Sequence, residues 1–169
     1  MGSMASAVTA DLLDSNEELI KSGELRVLDP IFKIYGRKQI FSGPVVTLKV
    51  SNENGNAREI LETRGEGRVL VIDGGGSKRC ALLGGTLTQL AHDMGWAGIV
   101  VNGYIRDVSL INNIDIGVRA FGSNPLKPKK FRTGEKNVAV PVAGSLIFPG
   151  EWIYADCDGV IVSKNKLTV

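Results

Sequence analysis

The chain holds two cysteines, Cys80 and Cys157, in 169 residues. They form no Cys-x-x-Cys pair, and one distant pair is neither a disulfide framework nor a zinc site. Both are expected to be reduced, buried thiols of an intracellular protein. His92 is the lone histidine. With no second His or Cys near it, it reads as a structural or solvated helix residue rather than a metal ligand. Charge of one sign is scarce too. Twenty basic and 18 acidic residues leave a net charge of +2, which argues against a dedicated nucleic-acid binder with its basic face. No apolar run approaches the ~18 residues of a membrane span. The N-terminus lacks a basic stretch followed by an apolar one, so no signal peptide is expected and a cytoplasmic location is the default. Met1-Gly2-Ser3 reads as a cloning remnant before a native start at Met4. No internal repeat and no low-complexity linker occurs.

What is present fits one α/β domain over residues 4–169. Hydrophobic residues make up 43% and charged residues 22%, which excludes wholesale disorder. Area scaling gives a folded surface of about 8,000 Å² against about 26,000 Å² extended, so a core without staples is feasible. The 21 glycines are dispersed and suggest many tight turns between short elements. Thr9 to Ile20 reads as helical with Thr9 as N-cap, and the Ser15/Glu18 capping-box spacing splits it into two short helices. Asp29-Pro30 marks a turn, Val45 to Val50 a strand, Asn54-Gly55 a turn and Asn56 to Thr63 a short helix.

The middle third is the clearest. Arg68-Val-Leu-Val-Ile-Asp73 is the short β-branched run of a buried strand. A glycine-rich connection runs from Gly74 to Gly85. Leu87, Leu90, Ala91 and Met94 then fall at i, i+3, i+4 and i+7, an amphipathic helix ending at Gly95. Gly98-Ile-Val-Val-Asn102 is a second buried strand. The result is a central βαβ unit with parallel strands and a right-handed crossover. Asp107 to Asn113 offers one or two helical turns. Val118–Phe121, Val138–Val142, Leu146–Phe148, Trp152–Tyr154 and Val160–Ser163 read as short strands of a β-rich second half.

In a βαβ unit the helix N-terminus lies at the same edge as the carboxyl ends of both strands, where ligands of open α/β sheets bind. Gly84-Gly85-Thr86-Leu87 falls there, with free amides, a positive dipole end and no side chain at the two glycines to block an anion. Arg106 and Asp107 follow the second strand. A guanidinium grips a carboxylate by two parallel hydrogen bonds, and a carboxylate beside it can hold a hard divalent cation. These residues together read as a site for a small carboxylate-bearing ligand and a metal ion. A surface turn at Arg106-Asp107 with packing glycines is the plainer alternative.

At these residues the chain resembles the family of the regulator of ribonuclease activity A and the class II 4-hydroxy-4-methyl-2-oxoglutarate aldolases, most closely its plant members. The likeness runs from about Thr9 to Val162. It rests on Phe41-Ser-Gly-Pro-Val-Val-Thr47, Gly67-Arg-Val-Leu-Val-Ile-Asp-Gly-Gly-Gly76, Gly98-Ile-Val-Val-Asn-Gly-Tyr-Ile-Arg-Asp107 and Tyr154-Ala-Asp-Cys-Asp-Gly-Val160. The aldolase signature is a Gly, twenty residues, Arg-Asp, two residues and an acid. Gly85, Arg106 and Asp107 match it, and Leu110 stands where the acid belongs. Some active relatives carry an Asp at the position of Gly85. The regulator-type bacterial members lack the Asp of the Arg-Asp pair, so Asp107 points to the enzymatic side.

The resemblance implies a swivelling β/β/α fold, a homotrimer or dimer of trimers, and sites near subunit interfaces. It implies retro-aldol cleavage of 4-hydroxy-4-methyl-2-oxoglutarate to two pyruvates and decarboxylation of oxaloacetate, with Mg²⁺ or Mn²⁺ as cofactor. Its substrates are small 2-oxo dicarboxylates or tricarboxylates. Carried onto this chain, Arg106 and Asp107 are the catalytic pair and Asp107 the metal ligand. Gly84, Gly85, Thr86, Leu87 and Arg106 bind substrate. The rival expectation is a non-enzymatic regulator that binds a ribonuclease or another protein. A methyltransferase, an older label in this family, is rejected: Gly74–Gly76 lacks the nucleotide-binding arrangement, and Ser77-Lys78 after it does not make a Walker loop. A Schiff-base aldolase needs a buried lysine, and Lys33, Lys38, Lys49 and Lys78 all have polar neighbours. Lys127-Pro-Lys-Lys-Phe-Arg132 reads as a solvated basic loop. Asp156 and Asp158 read as a polar turn, and Trp96 and Trp152 as core or subunit-contact residues.

Overall fold

The structure is a computed structural model and describes residues 8–168. The supposed cloning remnant at Met1–Ser3 lies outside the described residues. In chain order the elements are α1 (Thr9–Asp14), α2 (Glu17–Ser22), β1 (Leu25–Val27), β2 (Lys33–Tyr35), β3 (Phe41–Lys49) and α3 (Gly55–Leu61). Then come β4 (Val69–Asp73), β5 (Ala81–Leu83), α4 (Gly85–Asp93), β6 (Gly98–Asn102), β7 (Tyr104–Ile105) and α5 (Val108–Ile111). The last third holds β8 (Gly117–Ala120), β9 (Gly122–Ser123), β10 (Glu135–Lys136), β11 (Val140–Val142), β12 (Ser145–Ile147), β13 (Trp152–Ala155) and β14 (Val160–Ser163).

Nine strands form the main sheet in the order β1-β14-β13-β3-β4-β6-β8-β2, with β10 also paired to β3. At its centre β3, β4, β6 and β8 run parallel. β4 and β6 pair from Val69↔Gly98 to Asp73↔Asn102, which is the βαβ unit read from the sequence. All five β4 residues are buried because both faces of the sheet are covered. Leu70 and Ile72 pack with Leu61, Leu87 and Ala91 on the helical side. Val69 and Val71 point the other way, onto Val140, Val142 and Ile147, as the period of two requires. Helices, central sheet and a second β layer are the β/β/α arrangement expected above.

β3 ties the layers together. Its Phe41–Pro44 half pairs antiparallel with β13, and its Val45–Lys49 half pairs parallel with β4. A smaller parallel sheet, β5-β7-β9, sits beyond the carboxyl ends of β4 and β6.

Several local expectations change. The first helical stretch is indeed two helices, but Thr9 is not a cap. Val8 occupies the N-cap with no side-chain bond. Thr9 instead donates its N–H and hydroxyl to the two oxygens of Asp156, at 2.7 and 2.9 Å, so a tertiary partner wins over the local one. The Ser15/Glu18 box does not form either, since Asn16 is the N-cap of α2 and its amide bonds the Leu12 carbonyl. Asn54-Gly55 is a helix entrance rather than a turn. Cys80 is buried as expected, whereas Cys157 is exposed. The Gly74–Gly85 connection contains a strand, β5.

Candidate active site

β5 is what assembles the site. It runs parallel to β7, with Ala81 opposite Tyr104 and Leu83 opposite Ile105. The Arg106 amide continues the ladder, donating to the Leu83 carbonyl at 2.9 Å. This sets the Gly84-Gly85 corner beside the Arg106-Asp107 corner. The two corners touch through one bond, in which the Gly85 N–H donates to Asp107 Oδ2 at 2.8 Å.

Asp107 is held in an unusual conformation. Its φ is 59° and its ψ 45°, the left-handed region, in a residue that is not glycine. Such a conformation costs of order 1–3 kcal/mol and persists where the surroundings impose it. Here the Gly85 amide and the turn into α5 impose it. Gly84 leaves room for the same contact, since a Cβ there would stand 2.9 Å from Asp107 Oδ2 and 3.4 Å from Arg106 Nε and would push the carboxylate aside. A Cβ on Gly85 would meet Leu110 at 3.2 Å.

All the residues singled out in the sequence fall together at one mouth. Asp107 and Thr86 are exposed, Arg106 and Gly84 are half-buried, and Gly85 and Leu87 are buried. With the Gly85 amide taken by Asp107, the amides of Thr86 and Leu87 remain without an acceptor among the described residues. They are the first-turn donors that a helix offers to an anion. Among the described residues the Arg106 side chain makes only a long 3.5 Å bond to the Pro125 carbonyl, which leaves most of its donors free for the cleft that it lines. Leu110 is 62% exposed and lines an adjoining pocket that shares Arg58 and Thr86 with the mouth.

The mouth is a cleft of about 280 Å³ lined by Arg58, Thr86, Arg106, Asp107, Lys130 and Arg132, among others. Three of these cations were not singled out from the sequence. Arg58 lies on α3, and Lys130 and Arg132 belong to the basic run read as a solvated loop. That loop is exposed, yet it forms one wall of the cleft. The available signal was the spacing of Lys130 and Arg132, two residues apart, which puts both side chains on one side of an extended segment.

The donor set suits one kind of metal. No group of three or more His, Cys, Asp or Glu gathers among the described residues, so a closed protein cage of the zinc type is not built. Asp107 is the one carboxylate among the described lining residues. A single carboxylate fits a magnesium-like ion, which keeps several waters and takes one or two carboxylates plus substrate oxygens. Every lysine among the described residues is exposed, so none has the desolvated setting of a Schiff-base nucleophile. Gly74–Gly76 leads into β5, not into a helix, and therefore lacks the strand–loop–helix geometry that seats a dinucleotide or its analogues.

A parallel sheet edge, a helix N-terminus, an arginine and a carboxylate thus meet on a β/β/α fold, in a setting that suits a small anion. Comparison with known proteins gives the family. The Aldolase/RraA family profile matches residues 9–162, and the chain belongs to that family. A protein of Arabidopsis thaliana named "Putative 4-hydroxy-4-methyl-2-oxoglutarate aldolase 3" is 62% identical over 98% of this chain and 100% of its own length. A protein of Paraburkholderia phytofirmans bearing the same activity in its name is 52% identical over 96% of this chain and 99% of its own. The fold matches the RNA-processing inhibitor RraA of Thermus thermophilis with a TM-score of 0.90 and 39% identity, covering 96% of each chain. It also matches a Geobacillus kaustophilus structure described as a 2-dimethylmenaquinone methyltransferase, with a TM-score of 0.89, 43% identity and 94% and 96% of the two chains covered.

Proposed function

We propose that the protein is a divalent-metal-dependent carbon–carbon lyase that decarboxylates oxaloacetate and cleaves 4-hydroxy-4-methyl-2-oxoglutarate to two pyruvates. The observation that carries this is the Arg106-Asp107 pair locked against the open amides of α4 in a cleft whose other walls are cationic. The aldolase names of relatives at 50–62% identity support it.

Both reactions break the bond between C3 and C4 and leave the electron pair on a pyruvate enolate. Oxaloacetate loses C4 as carbon dioxide; the hydroxy acid loses it as the carbonyl carbon of a second pyruvate, with the hydroxyl proton removed. C3 is then protonated. Asp107 would hold the Mg²⁺ or Mn²⁺, which when bound supplies Lewis-acid polarisation of the 2-oxo group. The Thr86 and Leu87 amides receive the C1 carboxylate. Arg106 donates to that carboxylate or to the enolate oxygen, where the loss of one such donor typically raises the barrier by about 2.7–4 kcal/mol. The aldol branch also needs a base for the hydroxyl proton. Leu110 stands in place of the family acid; the described cleft lining holds no carboxylate besides Asp107, and the adjoining pocket that Leu110 lines holds Asp93. Decarboxylation needs no base, so the Leu110 departure should slow aldol cleavage more than decarboxylation, with a metal-bound water left as the base for the aldol branch.

A homotrimer or dimer of trimers in the cytoplasm belongs to the same reading. The exposed Val27, Ile31, Ile34, Leu146 and Phe148 supply apolar surface for such contacts. A second reading, a non-catalytic regulator that binds a ribonuclease or another protein, is favoured by the match to the RNA-processing inhibitor.

The deciding measurement is pyruvate release from both substrates with Mg²⁺ or with EDTA, for wild type and Asp107→Ala, after subtraction of the metal-catalysed background. Turnover that EDTA abolishes and the substitution removes is expected. No turnover above background with either substrate would sink the enzyme in favour of the regulator.

A further inference from the structure

The cationic wall of the cleft is fastened from behind by a buried carboxylate. Glu53 is 3% exposed and lies just before α3. Its two oxygens accept the N–H and the hydroxyl of Thr133, at 2.6 and 2.5 Å. Around this clamp the backbones of 52–55 and 129–131 are zipped together. The Asn54 amide donates to the Lys129 carbonyl, the Lys129 amide to Asn52 and the Gly55 amide to Phe131, all within 2.9–3.0 Å. Asn56 Oδ1 takes the Gly134 amide at 2.8 Å. Gly55 permits the approach, since a Cβ there would lie 2.3 Å from the Phe131 carbonyl oxygen. Segment 129–134 is thus a strap laid over the start of α3, and it brings Lys130 and Arg132 to the cleft that Arg106 and Asp107 also line.

A buried carboxylate is costly unless fully bonded. A neutral contact would tether the strap, but one carboxylate that takes both donors of a single residue fixes its position and its rotation. Lys130 has no carboxylate partner among the described residues, and Arg132 has only Glu59 at 3.5 Å. Two cations carried on a backbone fixed beside the 2-oxo-acid end suit a second anionic group on the same ligand.

We propose that Glu53 is a positioning residue, which clamps the 129–134 strap so that Lys130 and Arg132 form a subsite for the distal carboxylate of a 2-oxo dicarboxylate. The inference rests on the lyase reading for the identity of the near end.

The test is calorimetric binding in Mg²⁺ of two probes that the enzyme does not consume. Pyruvate has the near end alone. 2-Oxoglutarate adds a distal carboxylate, but it has neither a β-carboxylate to lose nor a 4-hydroxyl to cleave. Wild type binds 2-oxoglutarate the more tightly. The double variant Lys130→Ala, Arg132→Ala and the single variant Glu53→Ala each weaken 2-oxoglutarate by about fivefold and leave pyruvate within about twofold, the size expected of exposed charge-assisted contacts. Glu53→Gln, which still offers an acceptor to the Thr133 N–H and a donor to its hydroxyl, restores the preference. Thr133→Val removes half of the clamp and reports the same effect if Glu53→Ala fails to fold. Equal losses for both probes, or no change in 2-oxoglutarate, overturn the proposal. Where wild type turns over oxaloacetate but prefers neither probe, the subsite fails and the lyase stands. Where wild type neither binds the probes nor turns over, both fall.

Discussion

At the residue scale the site depends on Gly84 and Gly85, which contribute no side chain. Gly84 is extended, with φ −127° and ψ −172°, so alanine fits its backbone without strain. The obstacle is the 2.9 Å approach to Asp107 Oδ2. Gly84→Ala is therefore expected to displace the carboxylate rather than unfold the chain. The decarboxylation kcat/KM should fall about tenfold or more, since sub-ångström misplacement at a reacting centre is costly, while the melting temperature stays within about 2 °C. Steady-state rates and a circular-dichroism melt on the same sample separate the two effects, and an unchanged rate would remove Gly84 from the site. Leu110 poses the converse question. It is 62% exposed, so Leu110→Asp should alter stability by about 0.5 kcal/mol at most. Restoring an acid beside the cleft should raise the ratio of aldol cleavage to decarboxylation. A ratio that does not move would mean that the missing acid is not the base of the aldol branch.

At the scale of elements, legibility follows length and burial. β4, β6 and α4 were plain in the sequence because each carries enough residues to show a period or a continuous apolar run; the two strands are buried as read, and along α4 Leu87 and Ala91 are buried while Leu90 and Met94 pack half-buried against the core. Arg106, Asp107 and the Gly84–Leu87 entrance were plain too, because a βαβ unit fixes which end of the helix meets which end of the strands. β5, β7 and β9 were not, for two or three residues hold no period. Their pairing is decided by the sheet they extend, and β5 is the element that closes the site. The strap 129–134 was hidden for a related reason: its basic residues look like a solvated loop until Glu53, almost eighty positions earlier, is seen to hold it. The N-terminal helix makes the same point. α1 is tied to the body through Asp156, which accepts two bonds from Thr9 and further amides from Asp158 and Gly159. Burial alone would raise the Asp156 carboxyl, but those four donors outweigh it and hold it below the ordinary carboxylate range. A depressed folded value means that the ionised group stabilises the fold at pH above about 4, the unfolded value, and that this contribution is lost as pH falls through the lower folded value. Asp156→Asn should cost about 2 kcal/mol at pH 7, and denaturant melts should find the gap to wild type shrinking as pH falls below about 4. A gap that stays constant with pH would mean that ionisation of Asp156 contributes nothing.

Across the whole molecule the charge is close to balanced, +2 in 169 residues, yet it is not evenly spread. Arg58, Arg106, Lys130 and Arg132 border one cleft in which Asp107 is the one carboxylate among the described lining residues. The rest of the surface carries the compensating acids, several of them in exposed pairs such as Glu18 with Lys21 and Asp115 with Arg37. A neutral body with a cationic cleft attracts small polyanions to one place without the basic face that would recruit nucleic acid. Such attraction is a field effect between largely exposed charges, so salt weakens it over a Debye length of about 10 Å at 0.1 M. Added KCl from about 20 to 300 mM should therefore lower kcat/KM for oxaloacetate several-fold at constant free Mg²⁺. Most of the change should appear in KM, because the field concentrates substrate and leaves the bond-breaking step alone. Inhibition by pyruvate, with a single charge, should weaken much less over the same range. Equal salt dependence for the two ligands would show that the strap cations do not act on the distal carboxylate. A salt effect confined to kcat would place the charges in the chemical step instead.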